Sequence, residues 1–198
     1  MTFEPKNFDN LLGLPGFSDQ MLKNHFTLYQ GYVTNVNKMS GSLAAMSKAD
    51  NVSTLEYAEL KRRFGWEFNG MRLHELYFGN MKKDGFAISS ASPLKQKIVK
   101  DFGSLEAWEK EFRATAAMRG IGWVVLCYDQ ESDTLINIWV NEHDVGHLAS
   151  TASLLVMDVF EHAFMLDYGT KRADYINAFF SAIDWDTVSS RFDSAKTQ

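Results

Sequence analysis

Two long amphipathic segments in the first half of the chain limit what it can fold into. In each segment apolar residues recur at spacings of three and four, which is the period of one face of an α-helix. Ser18 can cap a first helix that starts at Asp19 and fades near residues 40–42. A capping box formed by Ser53 and Glu56 opens the second. Two such helices joined by a loop predict a helical hairpin.

Each apolar face carries one histidine. The first face consists of Leu22, His25, Phe26, Tyr29, Tyr32, Val33 and Val36, and the second of Leu60, Phe64, Phe68, Met71, His74 and Phe78. A hairpin would bring His25 and His74 together, whereas Asn24 lies off the apolar face. A lone histidine on such a face is usually a hydrogen-bonded core residue, so this interpretation stays open for each one taken alone.

The pattern changes after residue 85. The spacing predicts helices over residues 93–102, after a Ser104 cap and over 174–183, and strands over 122–129, 134–140 and 153–157. Helices, a short antiparallel sheet and more helices predict an α+β fold. We expect a helical-hairpin domain over residues 1–85. A second domain over residues 86–198 would contain a small three-stranded antiparallel sheet and helices.

Composition excludes several classes of function. The 20 Lys and Arg against 25 Asp and Glu give a net charge of -5, with no basic footprint for nucleic acid. No apolar run approaches transmembrane length, and the first ten residues lack the apolar core of a signal peptide. We therefore expect a cytoplasmic protein with neither nucleic acid nor membrane as a partner. Cys127, the only cysteine, cannot form an intrachain disulfide, and its apolar strand predicts a buried, inert thiol.

A carboxylate and a histidine recur close together in the second half, as Asp158 and His162. Three neutral imidazoles and one carboxylate form a low-charge site that suits a divalent or trivalent ion. Since no cysteine lies near these residues, a structural zinc ribbon is disfavoured. With His25 and His74, the pattern indicates a candidate mononuclear metal site.

Five segments resemble the iron/manganese superoxide dismutase family. The stretch DVFEHAFMLDY, from Asp158 to Tyr168, resembles that family's DVWEHAYYLDY motif. Downstream, KRADYINAFFSAIDW resembles its RRPDYLxxFWxxVNW tail, and upstream GIGWVVL resembles its GSGWxWL strand. NHFTLYQGYVTNVNKM and NGMRLHELYFGNM resemble its two ligand-bearing helices, the second in archaeal members. The resemblance extends over residues 18–186.

The resemblance implies a metal site and a reaction. The family's ligands fall on His25, His74, Asp158 and His162, with a water or hydroxide as the fifth ligand. One Fe or Mn ion per chain is implied, with iron or dual use slightly favoured. The implied activity converts superoxide to dioxygen and hydrogen peroxide by alternate reduction and oxidation of the metal.

The resemblance also implies residues around the metal. Tyr32 matches the gateway tyrosine of the substrate channel, and His143 matches the residue that hydrogen-bonds the coordinated solvent. A half-buried helix tyrosine and a loop histidine are the competing interpretations. His147 matches no family role, and we expect it to be structural.

Four further residues have implied roles in the pocket or the assembly. Glu161 matches the residue that bonds the ligand histidine of the other subunit in a homodimer, which can assemble further into a tetramer. Trp123 and Phe160 match aromatic walls of the pocket, and Arg172 matches an arginine of the substrate funnel. For each, an ordinary core or surface role competes.

The sequence departs from the family at three points. Counting back from Tyr32 with the family's spacing reaches Asn24, yet we assign the ligand to His25, which lies on the apolar face. Loss of a single-residue helical bulge would account for the difference. Met165 replaces a tyrosine that pairs with a first-helix histidine of the other subunit, and Phe160 replaces a tryptophan.

Other functions stay open on this sequence. An intact ligand set with Met165 in place of the usual tyrosine would permit a related chemistry, such as peroxide-driven oxidation. Loss of one ligand would leave a non-catalytic metal-binding or interaction protein on the same fold. A DNA- or membrane-binding helical module is opposed by the acidic balance and the lack of a basic amphipathic face.

Overall fold

The computed structural model describes residues 2–197 and packs helices against one small sheet. Over these residues the helices are α1 (Asp19–Lys48), α2 (Leu55–Gly79), α3 (Pro93–Phe102), α4 (Leu105–Ala116), α5 (Met165–Tyr168), α6 (Arg172–Ala182) and α7 (Trp185–Lys196). The strands are β1 (Gly122–Asp129), β2 (Thr134–Asn141) and β3 (Thr151–Asp158). Short 3-10 turns occupy Asp9–Leu11 and Glu161–Ala163. The α+β fold with an N-terminal helical hairpin and a three-stranded antiparallel sheet is confirmed.

The caps of the hairpin helices follow the sequence to within one residue. Ser18 caps α1, since its hydroxyl accepts from the Met21 amide at 3.1 Å. The cap of α2 is Thr54, whose hydroxyl accepts from the Tyr57 amide at 3.2 Å. The predicted capping box at Ser53 is therefore wrong by one position, because either hydroxyl fits the local pattern and only the backbone conformation selects between them.

Two helix predictions differ from the structure. Helix α1 runs through residues 40–42 and ends at Lys48, because a glycine on an exposed face weakens a helix by only about 1 kcal/mol and Leu43 beyond it is buried. Helix α7 was not predicted. Its buried residues, Trp185, Val188, Phe192 and Ala195, have the helical spacing of three and four, so the signal was present in the sequence.

The sheet places β1 in the middle, in the order β2-β1-β3. Seven of the eight residues of β1 are buried, including Cys127 as expected. The register opposes Trp123 to Val140 on one side and to Asp158 on the other. Gly122 begins the strand with φ 149°, and a side chain there would meet the Val140 carbonyl oxygen. This register brings Trp123 beside the end of β3.

An arginine of α7 links the end of α2 to strand β3. The Arg191 guanidinium donates to the carbonyls of Leu76, at 2.9 Å, and Leu154, at 2.7 Å. Asn80 continues the connection, since its Oδ1 accepts from the Val156 amide at 2.8 Å. The end of α2 is thereby held against β3. None of the helices over residues 2–197 has the length and apolar character needed to cross a membrane.

Candidate metal centre

Four potential metal ligands meet where the helical hairpin faces the end of β3. His25 comes from α1, His74 from α2, Asp158 from the last position of β3 and His162 from the 3-10 turn that follows. One ligand atom from each lies within 4.8 Å of the other three. The first three residues are buried, whereas the His162 side chain is 30% exposed. The structure thus brings together the four residues that the sequence predicted.

Hydrogen bonds hold His74 and Asp158 so that one ligand atom of each faces the centre. His74 donates through Nδ1 to the Gly70 carbonyl at 2.6 Å, so its Nε2 carries a lone pair. Asp158 accepts the Phe160 amide on Oδ1 at 2.8 Å, which leaves Oδ2 for the centre. The distances from Asp158 Oδ2 to the Nε2 atoms are 3.2 Å for His25, 3.7 Å for His74 and 3.2 Å for His162.

The donor set fits a metal ion. The Nε2 atoms of His25 and His74 are buried without a hydrogen-bond partner among the described residues, and buried polar atoms are rarely left unpaired. Imidazole–metal bonds of about 2.1 Å place neighbouring ligand atoms roughly 3–4 Å apart, and the three distances from Asp158 Oδ2 to the imidazole nitrogens lie in this range. A cation among these atoms would satisfy both orphaned nitrogens.

The protonation states favour the same conclusion. Burial lowers the pKa of His25, and burial together with His25 lowers the pKa of His74 well below its usual value. Burial alone would raise the pKa of Asp158, but the nearby His162 and His25 hold it far below the usual range. The buried part of the site therefore offers neutral imidazoles and an ionised carboxylate, which suits iron, manganese or zinc.

A second layer of polar side chains lies against His74. The Trp123 indole, which can only donate, bonds His143 Nδ1 at 3.0 Å. His143 therefore carries its proton on Nε2 and donates to the Tyr32 oxygen at 2.8 Å. Burial lowers the pKa of His143 to about 4, and burial raises that of Tyr32. Within residues 2–197 no acceptor is found for the Tyr32 hydroxyl hydrogen. The histidine that orients this hydroxyl lies 111 residues further along the chain.

The ambiguity between Asn24 and His25 has a clear geometric outcome. Asn24 is exposed and accepts from the Gln20 amide group at 2.8 Å. His25 is 3% exposed and its ring lies 4.9 Å from that of His74. Helix α1 is continuous through this region, as expected if the family's bulge is absent.

The remaining predicted residues surround the centre at different depths. Phe160 stacks on His143 with ring centroids 4.9 Å apart, and Trp123 lies 4.9 Å from His74. Glu161 is exposed and lines a cleft of about 290 Å³ together with His162, Met165 and Leu166. His147 Nε2 donates to the His143 carbonyl at 2.9 Å and so supports that loop.

Arg172 is held by backbone carbonyls at the edge of the same face. Its guanidinium donates to Met118 at 2.5 Å and to Gly120 at 2.9 Å. It also lines a small cavity with Glu161. Its role in a substrate funnel stays a prediction.

Three residues near the centre, Trp66, Glu142 and Tyr175, were not predicted from the sequence. Trp66 packs on His143 with ring centroids 4.4 Å apart and donates to Glu142 at 3.0 Å. It precedes Gly70 and His74 by four and eight residues, a helical spacing that could have revealed it. Tyr175 donates to the Asp158 carbonyl at 2.6 Å, and this contact had no local signal.

The fold and the site together define an α+β metalloprotein with a mononuclear centre of three histidines and one aspartate. A family model for the C-terminal domain of iron/manganese superoxide dismutases matches residues 90–191. An iron superoxide dismutase of Aquifex pyrophilus is 39% identical over 197 residues, which cover 97% of this chain and 92% of that protein. A manganese superoxide dismutase of Haloferax volcanii is 37% identical over 182 residues, covering 91% and 89% respectively. This chain belongs to the iron/manganese superoxide dismutase family.

Proposed function

We propose that this chain is a superoxide dismutase that converts superoxide to dioxygen and hydrogen peroxide at one Fe or Mn ion. The observation that carries the proposal is the pair of buried, orphaned Nε2 atoms on His25 and His74 beside the ionised Asp158 carboxylate. These residues and His162 would hold the ion. When bound, iron or manganese supplies one-electron chemistry by cycling between its divalent and trivalent states.

The chain's own contribution to the reaction is to hold and deliver protons, since forming hydrogen peroxide from superoxide requires two. Tyr32 has a neutral hydroxyl whose hydrogen is free, because His143 donates to its oxygen. Trp123 fixes the tautomer of His143. We assign Tyr32 as the proton donor nearest the metal and His143 as the residue that orients it. Trp123 and Phe160 wall the pocket and exclude bulk water.

We further propose that the active form is a homodimer formed through the face that contains Glu161. The adjoining Met165 and Leu166 are 43% and 56% exposed, and contiguous exposed apolar residues often mark protein interfaces. In a twofold dimer, Glu161 would accept a hydrogen bond from the ligand histidine of the second copy, which would cover the exposed edge of His162. A tetramer would need a further surface.

Three finer features complete the proposal. Residues 1–85 and 86–198 are proposed as two domains, each supplying two ligands. A cytoplasmic location is proposed, with which the free and buried Cys127 is compatible, and an antioxidant role follows from the proposed removal of superoxide. The choice between iron and manganese is left to measurement, because both metals accept these ligands.

Metal analysis and activity on one sample test the proposal. We would purify the chain, quantify iron, manganese and zinc by mass spectrometry, and assay superoxide dismutation. We expect nearly one iron or manganese per chain and robust activity, both lost in the Asp158→Asn variant. Metal-loaded protein without dismutation would instead favour peroxide-driven oxidation, for which the replacement of the usual tyrosine by Met165 is the supporting observation. Protein that binds no metal would contradict the ligand assignment.

A further inference from the structure

A row of aromatic rings extends from one side of the metal centre towards the surface. The His74 ring is fully buried and lies 5.1 Å from that of Tyr32, which is 9% exposed. Tyr32 in turn lies 5.6 Å from Trp66, which is partly exposed. Outermost is Arg63, whose guanidinium carbon sits 3.7 Å from the centre of the Trp66 ring and whose side chain is 51% exposed. Exposure therefore rises stepwise from the ligand to this arginine.

Three charged residues, Arg63, Glu67 and Glu142, surround Trp66 and are called the rim. Glu67 is buried and its carboxylate accepts a hydrogen bond from the Arg63 guanidinium at 3.0 Å. Glu142 is exposed and accepts the Trp66 N–H at 3.0 Å, with a backbone φ of 50° that non-glycine residues rarely adopt. In the described part of the chain, Arg63 is the one basic side chain in ion-pair distance of either carboxylate. The rim thus carries two negative charges and one positive charge.

Arg63 also acts on the two polar groups of the inner layer. Burial has the largest effect on the pKa of Tyr32 and of His143. The charge of Arg63 lowers both pKa values, against larger opposite effects of Asp158 on both, of Glu67 on Tyr32 and of Glu142 on His143. Arg63 therefore offsets part of the negative field where an anion would meet Tyr32.

We infer that Arg63, held over Trp66, is a specificity-determining residue that offsets the rim carboxylates and draws an anionic substrate towards the Tyr32–His143 side of the centre. This inference rests on the proposed function, because superoxide carries one negative charge. Arg63 acts on encounter rather than on bond-making, so it changes kcat/KM and leaves kcat nearly unaltered.

The expected effect is modest and depends on salt. A unit charge about 8 Å from an anion in water changes its local concentration roughly two- to threefold at low ionic strength. The screening length shortens from about 30 Å at 0.01 M salt to about 8 Å at 0.15 M. Arg63→Gln should therefore lower kcat/KM about threefold in 0.01 M salt, and the difference from the wild type should shrink as salt is added.

A lysine of the same helix supplies a matched control. Lys61 is exposed, its ammonium lies over the Tyr57 ring, and two residues of helix turn it about 200° away from Arg63, so Lys61→Gln removes the same charge from another face. Glu142→Gln removes a rim carboxylate while keeping an acceptor for Trp66, and should raise kcat/KM by a similar factor. Arg63→Lys should retain the salt dependence. The double variant Arg63→Gln/Glu67→Gln removes the buried Glu67 charge together with its Arg63 partner. It should therefore recover part of the loss in kcat/KM.

The experiment compares these variants in the metal-loaded protein, at equal metal content, from 0.01 to 0.5 M ionic strength. Binding of azide, a small monoanion, followed by absorption, gives a readout that does not require turnover, and Arg63→Gln should weaken it about threefold. Opposite shifts for Arg63→Gln and Glu142→Gln, with Lys61→Gln unchanged, would support the inference. Equal losses for Lys61→Gln and Arg63→Gln, or an unchanged salt dependence, would overturn it. Absence of dismutation in the loaded wild type would refute the proposed function alone, because the azide titration still tests Arg63.

Discussion

Gly70 faces the ring of Tyr32 so closely that the smallest substitution should disturb the hydrogen bond between His143 and Tyr32, the proposed proton donor. A Cβ atom at Gly70 would lie 2.7 Å from both Cδ1 and Cε1 of that ring. The ring cannot move freely, because it is wedged beside His74 and its hydroxyl is bonded to His143 at 2.8 Å. In Gly70→Ala the ring must shift and the hydrogen bond to His143 must lengthen or break.

The net effect on stability follows from three opposing contributions. Alanine favours a helix over glycine by about 1 kcal/mol. Overpacking in a filled interior costs about 1–3 kcal/mol, and losing the hydrogen bond between Tyr32 and His143 costs about 1 kcal/mol. We expect Gly70→Ala to be less stable by about 2 kcal/mol. For a chain of this size that lowers Tm by about 4–8 °C.

Gly65 provides the control, because it lies on the same helix and an added Cβ there meets nothing within 4 Å. Gly65→Ala should gain about 1 kcal/mol from helix propensity alone. Thermal unfolding at matched metal content measures the difference between the two variants, and a dismutation assay follows kcat. Gly70→Ala should match Tyr32→Phe in kcat, with a loss of up to about a hundredfold. If Gly70→Ala were as stable and as active as Gly65→Ala, the placement of Tyr32 would be refuted.

Three further predictions concern the ligands and their supports. His25→Ala should reduce metal content more than about tenfold, whereas Asn24→Ala should retain it; elemental analysis separates the two. His143 has a pKa of about 4 in the folded protein against 6.5 as the ordinary value, so the unfolded chain binds more protons between these values. The free energy of unfolding should therefore fall by up to about 3 kcal/mol as the pH drops from 6.5 to 4, and urea titrations of His143→Gln should lack this contribution. Tyr175→Phe should cost about 1–3 kcal/mol by unpairing the buried Asp158 carbonyl at unchanged metal content; a chemical denaturation curve that overlays the wild type would contradict this.

Helix and strand positions were largely accessible from the sequence, because they depend on periodicity within a few turns. The strands at 122–129 and 134–140 and the helix at 93–102 lie where the pattern predicts them, to within one residue. The errors fall where local signals are degenerate. Ser53 and Thr54 are equally good caps, and the end of α1 depends on whether Leu43 finds a core to enter.

The candidate site was only partly accessible for a different reason. Apolar periodicity placed His25 and His74 on buried faces, and the short Asp158–His162 motif supplied the other two proposed ligands. The positions of Trp66, Glu142 and Tyr175 beside the centre could not be predicted, because each depends on a hydrogen bond to a residue distant in the chain. The Tyr175 hydroxyl, for example, reaches the Asp158 carbonyl across 17 residues, and Trp66 reaches Glu142 across 76.

The kind of fold and the kind of donor atoms can be inferred from local patterns: a helical hairpin, an antiparallel sheet, three imidazoles and one carboxylate. Which atoms face the centre, and which are engaged elsewhere, depends on long-range packing. The register of β1 against β3 sets Trp123 beside Asp158, the Trp123 N–H selects the tautomer of His143, and that tautomer frees the Tyr32 hydrogen. Local periodicity reports which face of a helix is buried, whereas the direction of a hydrogen bond depends on what the rest of the chain packs against that face.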